Sequence, residues 1–228
     1  MQLYIANKLY SSWSMRPWVL MHALSIPFEE VLLPFDTPEF KTVLAGLPGP
    51  NRVPVLADGQ TVVWESLAII EYLAEKFPDH HVWPDSPTAR AHARASAAEM
   101  HAGFQALRST CPMNFGKDFA TRDRGPGVAA DAARITALWR EAREHHALTQ
   151  DGPFLYGAFS AADAMYAPIV ARIAGYGIKV DDDARAYITA VRNHPAYLAW
   201  RNQGLSENWV VQMDEVDEPA AVNHRPHL

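Results

Sequence analysis

Three short segments carry residue types that could do chemistry. The first is Tyr10-Ser11-Ser12-Trp13-Ser14-Met15-Arg16-Pro17. It lies between an apolar, β-prone stretch at 2–6 and a run with helical spacing at 17–25. Hydroxyls in such a place do one of two things. They cap the helix by accepting hydrogen bonds from its orphan N–H groups. Or they donate a hydrogen bond to an anion drawn to the positive end of the helix dipole, and a thiolate is such an anion. The second segment is Asn51-Arg52-Val53-Pro54-Val55-Leu56, a proline opening a strand. An X-Pro bond entering a strand can be cis, which would turn the N–H and C=O of Val53 off the sheet. They could then pair with a peptide ligand as an added strand does. The third is Glu65-Ser66, which starts an amphipathic run. It reads as a plain N-cap with an acid near it, or as a site with two halves. In the second case Ser66 faces a ligand carboxylate and Glu65 a ligand ammonium.

These segments need elements to position them. Residues 2–6, 17–25 and 28–33 read as strand, helix and strand, a parallel βαβ unit with Pro17 in the first turn of its helix. A short helix is expected at 38–44. A hairpin follows, Val53–Leu56 and Thr61–Trp64 around the Asp58-Gly59 turn, and then a helix over 66–77. Residues 79–87, with two prolines, read as a linker between a domain at 1–78 and a second at 88–228. Beyond the linker only helices are expected, at 88–109, 128–149, 159–175, 182–193 and 195–203. Ser160-x-x-Asp163 matches a capping box with Asp in place of Glu or Gln. The last residues, polar and proline-containing, read as a loose tail.

Composition narrows the classes. The 228 residues are 49% hydrophobic and 20% charged, enough to bury a sizeable core. No apolar run is long enough to predict a membrane span. The net charge of −6 argues against a nucleic-acid partner. No leader is evident, and the single Cys111 cannot form an intramolecular disulfide, so the expected compartment is the cytoplasm. His80-His81 and His145-His146 are adjacent pairs that make poor metal forks, so no metal is expected. Sequence signatures of a nucleophile elbow, a dinucleotide fold and a phosphate loop are absent.

Taken in order, the three segments resemble the glutathione transferase family. VPVLADGQTVVWESLAIIEYLAEKFPD is similar to its glutathione-binding half, and SSWSMR resembles the serine motif of its zeta-like members. The resemblance implies a thioredoxin-like α/β N-terminal domain, an all-α C-terminal domain and a homodimer. It implies a cis Val53-Pro54 bond, Val53 paired with the cysteinyl backbone of glutathione, and Arg52, Val53, Pro54, Glu65 and Ser66 as glutathione-binding residues. It also implies that a serine stabilises the thiolate. The zeta-like pattern selects Ser11; counting back four residues from Arg16, as in theta-like patterns, selects Ser12. Ser11 is preferred, and both remain candidates. No cysteine stands in the loop, which argues against mixed-disulfide chemistry.

The magnitudes suit such a site. A free thiol with a pKa near 8.5 needs about 2.7 kcal/mol of preferential stabilisation to lose about two units. One hydrogen bond to a charged group contributes about 1.5–3 kcal/mol, so one hydroxyl and a helix dipole suffice. The thiolate would attack an electrophilic carbon, in a pocket walled by Trp13, Met15, Met100, Phe104 and Arg108. The alternatives are reversible addition to an activated double bond, giving a maleylacetoacetate-type cis–trans isomerase, and a non-catalytic glutathione-binding scaffold.

Overall fold

The computed structural model describes residues 1–146 and 152–225. The chain opens with β1 (Gln2–Ile5), α1 (Ser12–Ala23), β2 (Glu29–Leu32), α2 (Pro38–Ala45), β3 (Val55–Asp58), β4 (Thr61–Trp64) and α3 (Ser66–Lys76). The strands form one sheet in the order β2-β1-β3-β4. β1 and β2 are parallel; the other two pairings are antiparallel. The two-residue period of β1 sorts its side chains onto two faces. Leu3 and Ile5 enter the main core with Trp18 of α1 and Ile70 of α3, while Tyr4 joins Leu44 of α2 on the other face. Helices therefore cover both faces, the thioredoxin-like arrangement the sequence implies.

One difference matters for the site. α1 starts at Ser12 with Ser11 as its N-cap, so the serines belong to the helix and not to a loop before it. Pro17 lies inside the helix, where it removes the hydrogen bond that would reach the Trp13 carbonyl. Serine and proline are weak helix formers, which is why spacing alone starts the helix late. Tertiary packing overrides that weakness: α1 lies against α3 and against two later helices, and nearly all of it is buried.

A single 3-10 turn (Pro78–His80) leads to α4 (Pro87–Ala102), α5 (Gln105–Thr110), α6 (Pro126–His145), α7 (Ala161–Gly175), α8 (Asp182–Asn193) and α9 (Pro195–Leu205). The continuous helix expected over 88–109 is broken: Phe104 adopts a left-handed φ of 59° between α4 and α5. The expected end of the next helix, 147–149, lies outside the described residues. α7 begins with the expected box: the Ser160 N–H donates to Asp163 Oδ2 at 2.9 Å.

The second half is not purely helical, and its tail is not loose. β5 (Lys117–Phe119) and β6 (Ala220–Asn223) form an antiparallel ribbon. Ion pairs that no local pattern announces hold it. Glu218 takes Arg122 at 2.6 Å and Arg124 at 2.8 Å; Glu215 takes Lys117 at 2.6 Å and the Tyr10 hydroxyl at 2.7 Å. The loop before Ser11 is fixed from the same side. Lys8 donates its N–H to Glu207 at 2.7 Å, and Gly204 of α9 lies so close that a Cβ there would meet the Leu9 nitrogen at 2.9 Å.

Candidate functional site

The two helix N-termini that the sequence singles out come together. Trp13, Pro50, Arg52, Val53, Pro54, Trp64 and Glu65 line a cavity of about 130 Å³. Val53-Pro54 is cis, as the resemblance implies. Glu65 is the N-cap of α3, holds a left-handed φ of 71° and is exposed. Ser66 is fully buried beneath it, its Oγ accepting from Arg16 Nη1 at 3.4 Å. Arg52, Val53, Pro54 and Glu65 thus share one hollow, with Ser66 under its floor.

The serines of α1 are nearly buried. Ser11 makes no cap hydrogen bond to its own helix. Its Oγ lies 2.8 Å from Ser14 Oγ, and Ser14 Oγ accepts the Ala6 N–H at 3.2 Å. Ser12 Oγ faces the other way and accepts from Arg172 Nη2 of α7 at 3.4 Å.

Three guanidiniums surround this end of α1. Arg16 is wholly buried, stacks on Trp13 with 4.0 Å from guanidinium carbon to ring centroid, and donates to Met100 Sδ at 3.2 Å. Arg108 of α5 covers the same ring at 4.6 Å. Among the described residues none of Arg16, Arg108 and Arg172 has a carboxylate within ion-pair distance. Burial is the main cause that pushes each below its ordinary value; Arg172 falls to about 10, and Arg108 adds to the push on Arg16 and Arg172. Arg172 therefore stays charged at neutral pH, and the cluster concentrates positive charge that Glu65 and Asp214 offset only from beyond ion-pair distance. Composition hides it, because the chain as a whole is acidic.

His101, at the end of α4, joins the group. Its ring meets the edge of Trp13 at 5.1 Å between centroids, and its Nε2 stands 3.8 Å from Glu65 Oε2. Its Nδ1 is buried without a partner. Burial first, then Arg16, hold its pKa below the ordinary value, against Glu65.

The expected electrophile walls divide. Trp13 and Arg108 are partly exposed at the site. Met15 and Met100 have no exposed surface and belong to the core, so they wall no open pocket. Phe104 is also buried, and the break at that residue takes it off the helical face it was expected to share with Met100. Sequence reasoning missed Ser14, Arg172 and His101 as members of the site. For Arg172 and His101 no local signal exists, since each lies on a distant helix.

The comparisons agree with this geometry. Residues 10–76 match the family model described as the glutathione S-transferase N-terminal domain. A probable maleylacetoacetate isomerase of Caenorhabditis elegans is 37% identical over 106 residues, 44% of this chain and 49% of the relative, so the match spans about half of that protein's length. Glutathione S-transferase 1 of Dianthus caryophyllus is 28% identical over 186 residues, 78% of this chain and 80% of the relative. A solved glutathione transferase homolog from Burkholderia GL BGR1, with bound glutathione, shares the fold with a TM-score of 0.63 at 22% identity, covering 89% of this chain and 96% of that one. Residues 10–76 are thus similar to a glutathione S-transferase N-terminal domain, and the chain shares the fold of solved glutathione transferases.

Proposed function

We propose that this protein is a serine-type, zeta-like glutathione transferase. Glutathione lies along Arg52, Val53 and Pro54 with its γ-glutamyl end at Glu65 and Ser66, and Ser11 keeps its thiol ionised. The observation that carries this reading is the place of Ser11 at the α1 N-cap: it accepts from none of the helix N–H groups, and its hydroxyl donates only to Ser14 Oγ at 2.8 Å. That hydroxyl would turn its hydrogen from Ser14 to an anion there, because a charged acceptor binds it more strongly and the dipole favours that anion. Ser12 is turned to Arg172 instead. The serine is a donor throughout. The reaction is attack of the bound thiolate on an electrophilic carbon, which forms the C–S bond and expels the leaving group with its electron pair.

A second reading has its own observation. Arg16, Arg108 and Arg172 concentrate positive charge beside the thiolate position, which favours an acidic electrophile. A maleyl-type dicarboxylate fits that chemistry; the thiolate would add to its double bond and leave again after rotation, a glutathione-dependent cis–trans isomerisation. The test of both is the purified protein with glutathione. An ultraviolet thiolate band near neutral pH supports thiol activation. Its absence with glutathione still bound refutes catalysis and leaves the scaffold. Turnover of neutral aryl halides against maleyl-type acids then separates transferase from isomerase.

A further inference from the structure

Two guanidiniums meet on one indole. Arg16 follows Trp13 by three residues on α1, which puts both on one helix face, and its guanidinium carbon lies 4.0 Å from the ring centroid. Arg108 comes from α5, which begins after the left-handed Phe104, and lies 4.6 Å from the centroid. The two cations repel, and after burial it is Arg108 that most lowers the Arg16 guanidinium. The groups that hold them are neutral. Arg16 donates to Ser66 Oγ at 3.4 Å and to Met100 Sδ at 3.2 Å. Arg108 Nη1 donates to the carbonyls of His101 at 3.3 Å and Gly103 at 3.2 Å. A carboxylate in such a place would cancel a full charge. An indole attracts a cation through its quadrupole and leaves the charge intact.

The two arginines differ in freedom. Arg16 is wholly buried, with Ser66 and Met100 as further partners. Arg108 is partly exposed, and among the described residues its Nε and Nη2 donate to nothing. Those two nitrogens form one edge of the planar fork, an edge that can take both oxygens of a carboxylate. Two hydrogen bonds from Nη1 and the face of Trp13 are what fix the guanidinium. We infer that Trp13 is a positioning residue for specificity: it holds Arg108 beside the site with one edge free, ready for the carboxylate of an acidic electrophile. This rests on the reading that the arginine cluster favours an acidic co-substrate. The ring supplies order in advance. A long side chain that must be fixed on binding loses rotamer freedom at that moment, and one already held does not.

The test uses two aryl chlorides that react alike with glutathione and differ by one carboxylate, chlorodinitrobenzene and chlorodinitrobenzoate. The readout is the ratio of their kcat/KM values, benzoate over benzene. Trp13→Leu keeps an apolar side chain and removes the ring face. It lowers the ratio by roughly two- to fivefold, the size of a partly exposed cation–π contact. Trp13→Phe restores an aromatic face and recovers most of the ratio. In the Arg108→Met background Trp13→Leu leaves the ratio unchanged, since no guanidinium remains for the ring to position. A merely structural role lowers both rates by one factor and leaves the ratio unmoved, and that result overturns the proposal. A ratio that falls equally with and without Arg108 overturns it too, because Trp13 then acts on the acid by itself. The Arg108→Met protein separates the proposal from the reading beneath it. If Arg108→Met lowers the ratio and Trp13→Leu does not, only the role of Trp13 fails. If Arg108→Met leaves the ratio unmoved, the acidic-electrophile reading fails and the role of Trp13 with it.

Discussion

Asp163 offers a measurement in which two opposed effects have calculable sizes. Its carboxylate accepts from the Leu155 N–H at 3.1 Å, the Ser160 N–H at 2.9 Å, the Ser160 hydroxyl at 3.2 Å and the Tyr187 hydroxyl at 3.1 Å. Four donors favour the ionised form. The group is also wholly buried, and burial wins: it is pushed up from 3.8 to about 6. The native state therefore holds the proton more tightly than the unfolded chain does. The stabilisation is fully present below pH 3.8 and is lost as pH rises through about 6. A shift of about two units corresponds to about 3 kcal/mol. Asp163→Asn keeps the shape and cannot titrate. Its own penalty, an amide N–H2 where acceptors are needed, does not change with pH. Urea unfolding of both proteins at pH 4, 5, 6 and 7 gives the difference directly. Other buried acids such as Glu207 and Asp214, also raised by burial, occur in both proteins and cancel. The wild-type advantage over Asp163→Asn should shrink by about 2.4 kcal/mol between pH 4 and pH 7, the rest having been lost already below pH 4. A difference that stays flat, or grows with pH, refutes the reasoning and would mean that the four donors outweigh burial.

Three further outcomes follow from the site. Arg108→Met should lower kcat/KM for an acidic electrophile by roughly 5- to 30-fold relative to a neutral one, about 1–2 kcal/mol for a charge several ångströms away at the protein surface; equal losses for both would remove the charge argument. His101 is held below its ordinary value, so it is neutral at pH 7 and gains its charge only as pH falls through that lowered value. Its cation would then compete with the glutathione ammonium for Glu65, so calorimetry should show glutathione binding weaken as the pH is lowered into the acid range in the wild type and not in His101→Gln. Cys111 has no exposed surface and burial pushes its thiol up to about 11, so alkylation should follow unfolding and not precede it; rapid labelling of the native protein would contradict the packing.

The N-terminal domain was legible because its signals are local. Val53-Pro54, the hairpin and the 66–77 periodicity each act within a few residues; the hairpin stands with its first strand shifted to Val55–Asp58 and its turn to Gly59-Gln60, because Asp58 pairs with Thr61 and not in the turn. The misses are all of one kind. The ribbon of β5 and β6 joins residues about a hundred apart, through Glu215 and Glu218. Short polar segments of that sort carry no apolar alternation, and their pairing is fixed by charges that only the fold brings together. The break at Phe104 escaped for a related reason. A phenylalanine with positive φ is disfavoured on local grounds, and its apolar neighbours at helical spacing argue for continuity. The site divided in the same way: its serines and Glu65-Ser66 announce themselves, while Arg172 and His101 arrive on helices far along the chain.

The other helices of the same molecule bear on the choice between capping and the proposed chemistry at Ser11. Thr37 accepts the Phe40 N–H at 3.1 Å, Asp181 the Ala184 N–H at 2.8 Å and Ser86 the Ala89 N–H at 3.5 Å. His194 accepts the Ala196 N–H at 3.2 Å, and Ser160 is held in its box with Asp163. Each such side chain spends itself on its own helix, as N-caps ordinarily do. Ser11 and Glu65 do not. Leaving a cap unmade forgoes about 1 kcal/mol; α5 and α6 also go uncapped, but their N-cap residues, Phe104 and Gly125, have no side chain that could cap. α1 and α3 pack on each other, and Trp13 of one shares the same hollow with Glu65 of the other. Two helix N-termini with their first N–H groups uncapped by side chains therefore meet at one hollow, and on the proposed reading an anionic ligand would supply the missing acceptors.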